Sequence, residues 1–339
     1  MEKSLKRINM KKFGVCLVLA LWSIASIGSA GSLFPVSVGG RWGFANKSGQ
    51  IVINPQFERA QVFTEGLAPV RLDRWGYVDT SGKMVINPQF DRAEVFTEGL
   101  AAVRLGGPAP YDPFGIAGSG RYGYVNHEGK YVINPQFDDA RGFADGFAAV
   151  KLGRWGFIDK TGKIVINPQF DEAGSFSEGV AVVKLGGRFG YTDTGGKLVI
   201  NPQFERAMPF SGGRAAVRLG DRWGFVDKTG SLAINPQFDE AGSFIDGLAP
   251  VRVKRWGFMD AMGKFVIPVQ FDNAAPFSEG VAAVRLAGRW GFVDKTGKFI
   301  INPQFDEAAS FTNGLARVKT DGRFGYVDPS GKFVFSPTN

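Results

Sequence analysis

One cysteine and one histidine are all that 339 residues contain. The cysteine, Cys16, lies inside an apolar run near the amino terminus, so the chain beyond it can build neither a disulfide framework nor a thiolate metal site. The histidine, His127, has no second histidine to share a metal with, which excludes zinc sites built on histidine pairs. Long hydrophobic runs are also scarce. The one candidate, Phe13 to Ile27, is fifteen residues, short of the roughly 20 that a spanning helix needs. No window keeps a helical period, and no phosphate-cradling glycine loop or calcium loop is present.

Charge of one sign is lacking too. The chain carries 40 basic and 32 acidic residues; the first thirty contribute five basic and one acidic, leaving 35 − 31 = +4 for the remainder. That weak excess, with no basic cluster above the background, argues against nucleic acid as partner. The basic start (Lys3, Lys6, Arg7, Lys11, Lys12), the apolar run and the small residues Gly28-Ser29-Ala30 have the three-part layout of a secretory signal peptide. The expectation is a signal over 1–30, cleavage near Gly31, and a mature domain over 31–339 that is periplasmic or extracellular and has no membrane span. An uncleaved anchor is the competing reading. Cys16 follows Phe13-Gly14-Val15, a poor lipoprotein site.

What fills the rest is one stretch copied nine times. Its fullest form is Arg289 to Phe305, R-W-G-F-V-D-K-T-G-K-F-I-I-N-P-Q-F. The glycine after the aromatic falls at positions 43, 76, 123, 156, 190, 224, 257, 291 and 325. A turn glycine always follows six residues on, the Phe of P-Q-F fourteen on and a second Phe twenty on in every copy but the last. Length varies only just before the Arg-aromatic pair, as expected where packed segments hold their length and exposed loops absorb insertions.

The W-G-F/Y-V-D step, the D-K-T-G-K turn, the I-N-P-Q-F step and the F-x-E-G-L/V-A connection resemble the WG-repeat family of tandem bacterial repeats, over roughly Leu33 to Pro337. The resemblance implies repeat architecture and carries no uniform activity. Tyr122, Phe189 and Phe324 replace the tryptophan in three copies, so the position requires a large aromatic.

Within a copy, Val281 to Leu286 and Arg289 to Asp294 read as a hairpin. Lys298 to Asn302 reads as a third strand that Pro303 ends or places at an edge. Phe305 to Phe311 reads as a fourth short strand or a single helical turn. The fold class is all-β: tandem repeats of about 34 residues, each of three to four short antiparallel strands. Two arrangements follow, an open curved solenoid-like stack and a closed β-propeller. Nine copies exceed the usual count of blades and about 34 residues is short for a four-stranded blade, which favours the open stack. A mid-strand glycine such as Gly291 implies that an aromatic or a backbone approaches closely over it.

The chemistry-bearing residues recur with the period. Asp159, Asp227, Asp260, Asp294 and Asp328 are one position and Asp171, Asp239, Asp272 and Asp306 another, which suits turn caps and partners for arginine better than a catalytic acid. His127 sits at a hairpin turn and reads as a solvated surface residue. The arginine before each aromatic reads as structural. A second basic position, holding Arg71, Arg104, Lys151 and Lys184 among others, accepts either lysine or arginine and is a candidate for binding acidic partners. One stretch escapes the period: residues 106–120 enlarge a hairpin turn and bring Tyr111, Asp112 and Phe114, a candidate recognition loop. The expectation is an exported, non-enzymatic scaffold without cofactor or metal, binding a protein or an envelope polysaccharide. A carbohydrate-binding module built on exposed tryptophans and a carboxylate hydrolase are the alternatives, and tryptophan burial discriminates the first of these.

Overall fold

Aromatic and β-branched residues alternate with glycine-centred turns, and the chain accordingly folds into short strands and tight hairpins. The computed structural model describes residues 32–106 and 120–336, and every regular element among them is a strand. The signal-peptide expectation and Tyr111, Asp112 and Phe114 lie outside the described residues. The strands form nine antiparallel sheets in chain order. In the sheet that contains Trp290, Asn273–Ala274, Val281–Leu286, Arg289–Asp294 and Phe299–Phe305 pair in that sequence. The hairpin is the one read from sequence. The next strand runs on through Pro303 to Phe305, so the proline sits within an edge strand. The connector is neither helical nor part of its own repeat's sheet: Glu307–Ala308 opens the following sheet.

That two-residue strand lies innermost. Corresponding residues of neighbouring sheets meet along its extension: Ser177 Oγ donates to the Phe210 carbonyl at 2.7 Å and Ser278 Oγ to the Phe311 carbonyl at 2.7 Å. In a radial array, equivalent positions come closest near the axis. The proline-bearing fourth strand is therefore outermost, where a missing N–H leaves no ladder bond unmade and blunts an exposed edge.

The array closes. Each turn glycine rests on the outer strand of the preceding sheet: a Cβ at Gly82 would stand 3.2 Å from Ile53, at Gly162 3.2 Å from Ile133, at Gly230 3.3 Å from Ile200. Gly49 of the first sheet lies in the same way against Val334 of the last. Tyr326 Oη donates to the Pro35 carbonyl at 2.9 Å, and the Phe34 and Tyr326 rings are 5.5 Å apart. The chain is a nine-bladed β-propeller, the second of the two arrangements its sequence allowed. The length argument for the open stack fails because most inner strands need only two paired residues, so about 34 residues suffice for four strands.

The core lies between blades. Ala216, Trp223, Phe225 and Phe238 of the sixth blade pack with Phe244, Val251 and Met259 of the seventh in one buried cluster. The connector Phe of blades two to nine plugs this seam, as Phe277 does against Phe258 at 4.8 Å between ring centres. No repeat buries its apolar face alone.

Candidate binding face

Antiparallel order places the turns on two opposite faces. The hairpins between second and third strands share one face, and the E-G turns and D-K-T-G-K turns share the other.

On the second face the repeated acids hold the structure together. Asp159 Oδ1 accepts the Thr161 N–H at 2.9 Å, the Thr161 hydroxyl at 2.6 Å and the Lys163 N–H at 3.1 Å. The threonine hydroxyl, then the two amides, hold this carboxyl below its ordinary range, and serine or threonine does the same at Asp79, Asp227, Asp294 and Asp328. Glu65, Glu98 and Glu178 occupy turn positions with φ of 50°, 53° and 55°, a left-handed backbone uncommon for such residues. Their carboxylates accept glycine amides of the next blade, Glu65 from Gly99 at 3.0 Å and Glu98 from Gly146 at 3.0 Å. Lys160 lies 3.1 Å from Glu98 and Lys228 3.4 Å from Glu178. His127 holds the corresponding place, 3.1 Å from Glu65 and stacked on Phe96 at 4.4 Å. His127 is thus a surface residue, its side chain 42% exposed, that also touches the preceding blade.

A folded-state carboxyl pKa below its unfolded value stabilises the fold fully above the unfolded value of about 3.9 and loses that contribution as pH falls through the folded value. Thermal stability should therefore drop below about pH 4, and Asp294→Asn should flatten part of that drop in melting curves taken across the acid range. A profile identical to wild type would mean that this turn carboxylate contributes nothing.

On the hairpin face, the arginine before each aromatic is also committed. Arg154 donates to the Gln169 carbonyl at 2.7 Å and lies 3.5 Å from Asp171; Arg255 repeats this with Gln270 and Asp272. Arg121, Arg188, Arg222 and Arg289 pair with Asp138, Glu205, Asp239 and Asp306. Each partner acid stands seventeen residues on, at the entry to the next inner strand. It also caps that blade's hairpin: Gly153 N donates to Asp138 at 2.7 Å and Lys254 N to Asp239 at 2.9 Å. The Lys254 amide is the main cause holding the Asp239 carboxyl low, with Arg222 and Arg252 adding to it.

The candidate basic position lies beside the same hairpins. Arg71 is the last residue, and Arg104, Lys151 and Lys184 the last but one, of the second strands of blades two to five. The insertion belongs to the hairpin of blade three, and Arg104 Nε donates to the Gly120 carbonyl at its root at 3.4 Å. The basic side chains are not a free ladder. Arg71 lies 3.6 Å from Glu58 and donates to the Asp73 carbonyl at 3.2 Å; Lys184 lies 2.8 Å from Glu172 and 5.2 Å over the Phe189 ring.

The tryptophans do not form an exposed platform. Trp155 and Trp223 are buried, and Trp42, Trp75, Trp256 and Trp290 are half-buried. Among the described residues no three His, Cys, Asp or Glu side chains converge on a point that would hold a metal, and no helix is long and apolar enough to cross a membrane. Sequence reasoning missed one local break. At the position after the second strand's alanine, where blades two to eight carry Pro, Ala or Val, the ninth carries Arg317. Its guanidinium sits 3.7 Å over Phe324 and 5.8 Å over Trp42. Laying the nine copies in register reveals it.

A family model described as WG containing repeat matches residues 42–74, 75–107, 122–154, 155–189, 189–223, 223–254, 256–290 and 290–324. Seven of these eight segments run from one aromatic to about the next, the second (75–107) stops at the insertion, and the last, shortened copy is unmatched. No curated protein matches the sequence. Among solved structures, a crystal structure of the eukaryotic initiation factor aligns over 92% of this chain and 97% of its own, with 12% identity and a TM-score of 0.64. Dihydro-heme d1 dehydrogenase NirN in complex with DHE aligns over 93% and 75%, with 13% identity and a TM-score of 0.49. Kluyveromyces lactis Hsv2p aligns over 70% and 92%, with 10% identity and a TM-score of 0.41. At these identities the first likeness is one of fold alone, and the other two carry no argument.

Proposed function

The chain belongs to the family of WG-containing repeat proteins, and from that premise we propose that it is an exported, non-enzymatic scaffold that binds a protein or cell-envelope partner through its hairpin face. The observation that carries this reading is the 106–120 insertion in the hairpin of blade three, the one stretch outside the repeat period, at whose root Arg104 donates to the Gly120 carbonyl; Arg71, Lys151 and Lys184 hold the same basic position on blades two, four and five. Nearly all the repeated polar positions, Arg71 and Lys184 of the basic position included, take part in internal contacts: the arginines with strand carbonyls and acids, the acids with turn amides and lysines. The insertion is the one stretch free to differ, so specificity resides in Tyr111, Asp112 and Phe114, with the basic residues adding attraction that salt screens over about 8 Å. The half-buried tryptophans weigh against the sugar-stacking alternative, and no acidic pair stands apart from the period to serve a hydrolase.

The test replaces residues 108–117 by a short glycine-containing turn like those of the other blades. Retention of an envelope-protein extract and of an acidic polysaccharide is then compared for both proteins at two salt concentrations. The loop-shortened protein should melt like wild type and lose most of its retention. Unchanged retention by a folded loop variant refutes the loop as the specific contact, and retention insensitive to salt removes the basic residues.

A further inference from the structure

Six seams between blades carry the same tie on the turn face. An acid of one blade accepts the amide of a glycine in the next, as Glu65 does from Gly99, Asp145 from Gly179, Asp246 from Gly280 and Glu279 from Gly314. Glu98 and Glu178 do the same with Gly146 and Gly213. At Glu98 and Glu178 a lysine of the next blade's turn, Lys160 or Lys228, joins the acid. The seam between blades six and seven departs from this pattern at three positions.

First, Gly212 stands in the place of the acid. Its φ of 63° is close to the 50° of Glu65 and the 55° of Glu178, so the backbone keeps its course and only the carboxylate is lost. The amide that such a carboxylate takes is that of Gly247, which is exposed and has no acceptor among the described residues. Second, Ala261 stands where Lys160, Lys228 and Lys295 stand in other turns, so this seam lacks the lysine as well as the acid.

Third, Arg214 occupies a column that holds Leu67, Leu100, Leu248 and Leu315 in four other blades. Side chains of this column face the following blade: Leu67 clusters with Phe96 and Val125, and Leu248 with Phe277 and Val293. Arg214 thus brings a cation into the seam that lost its lysine. Its Nη1 donates to the Gly213 carbonyl at 3.2 Å, and its Nε is buried without a partner. A buried donor left unsatisfied costs stability, and a bound anion offsets that cost. The acids of the adjoining turns are engaged elsewhere. Asp227 accepts the Thr229 and Ser231 amides, Asp260 those of Met262 and Lys264, and Asp246 that of Gly280 across the next seam.

We propose that this seam binds the carboxylate of an external aliphatic acid at the place that a turn acid fills in the other seams. One carboxylate oxygen accepts the Gly247 amide, as Glu178 accepts that of Gly213, and Arg214 supplies the charge. The aliphatic part rests on Ala261 and on Met262, which is 92% exposed where six other turns carry serine or threonine. Asp227, Asp246 and Asp260 repel a second negative charge, so the ligand is a monocarboxylate. Such a group occurs at the carboxyl terminus of a peptide and in a free short-chain acid. The site lies on the turn face, opposite the hairpin face, and does not depend on what the 106–120 loop binds.

The test titrates the full chain, isotope-labelled at nitrogen, with N-acetylleucine and with hexanoate, following the Gly247 N–H and Arg214 Nε–H resonances. Both should shift saturably with each acid and stay still with N-acetylleucine amide or hexanol; the tighter acid identifies the source. Arg214→Leu installs the residue of four other blades. It should melt at or above the wild-type temperature and weaken binding by about tenfold or more. Gly212→Glu supplies the tie from within, and should raise the melting temperature and block both acids. The proposal is overturned if neither acid gives saturable shifts, or if Arg214→Leu or Gly212→Glu binds as the wild type does. Arg214→Leu melting well below wild type would mark the arginine as a structural tie and overturn it too. Inorganic phosphate competing as well as the acids would do the same, by making this an unselective anion site.

Discussion

Gly156→Ala should destabilise the propeller by about 3 kcal/mol, a large effect for adding a single methyl group. A Cβ at this position would stand 2.5 Å from the Ile166 carbonyl oxygen, 2.7 Å from the Pro168 nitrogen and 2.9 Å from the Asn167 carbonyl carbon. All three are backbone atoms of the adjoining outer strand, so no side chain can swing aside. The pairing explains the closeness. Trp155 faces Phe170 and Phe157 faces Ile166, so three outer-strand residues stand opposite the lone glycine and bulge over it. Gly66→Ala is the control: its φ is +83° but nothing lies within 4 Å of the added atom, and the backbone cost alone is about 1 kcal/mol. Denaturant melts of the two variants should separate clearly. Equal losses would mean that the outer strand moves away freely and that the repeated glycine serves conformation only.

The reading of that glycine shows what the sequence exposes and what it hides. Mid-strand placement between aromatic residues implies a close neighbour, and the structure supplies a backbone. The hairpin from Val281 to Asp294 was legible to the residue, because alternation and turn glycines are local signals. Ring closure was not. Whether nine units stack openly or close depends on a small rotation per unit, to which no single residue is dedicated, and the brevity of the inner strand was concealed by its lack of alternation. The role of His127 was hidden for a related reason. Its partner Glu65 is sixty-two residues away in sequence and one blade away in space. The seam residues Phe34 and Arg317 were legible in principle, as breaks in columns of small residues, once the copies are aligned by strand register and not by the tryptophan alone.

Phe277→Ala should cost about 3–5 kcal/mol and do so in a single cooperative transition. The ring is fully buried, lies 4.8 Å from Phe258 of the preceding blade, and shares a cluster with Leu248, Ile267, Phe271 and Val293 from both blades. Removing it leaves a cavity at a seam that the nearby β-strands, tied by their ladders, cannot collapse to fill. Trp256→Ala, at the half-buried rim of the same seam, should cost about half as much, although tryptophan is the larger side chain. Burial and not size therefore sets the order of the two variants. Closure decides the shape of the transition. In an open stack the blades beyond a weakened seam can unfold separately, because each unit touches only its neighbours. In a ring, opening one seam leaves eight others bonded and releases no free end until the Phe34–Tyr326 junction also yields. Calorimetry of Phe277→Ala should show one peak shifted to lower temperature. Two resolved peaks would mean that the blades melt in separate blocks and that closure contributes little to cooperativity.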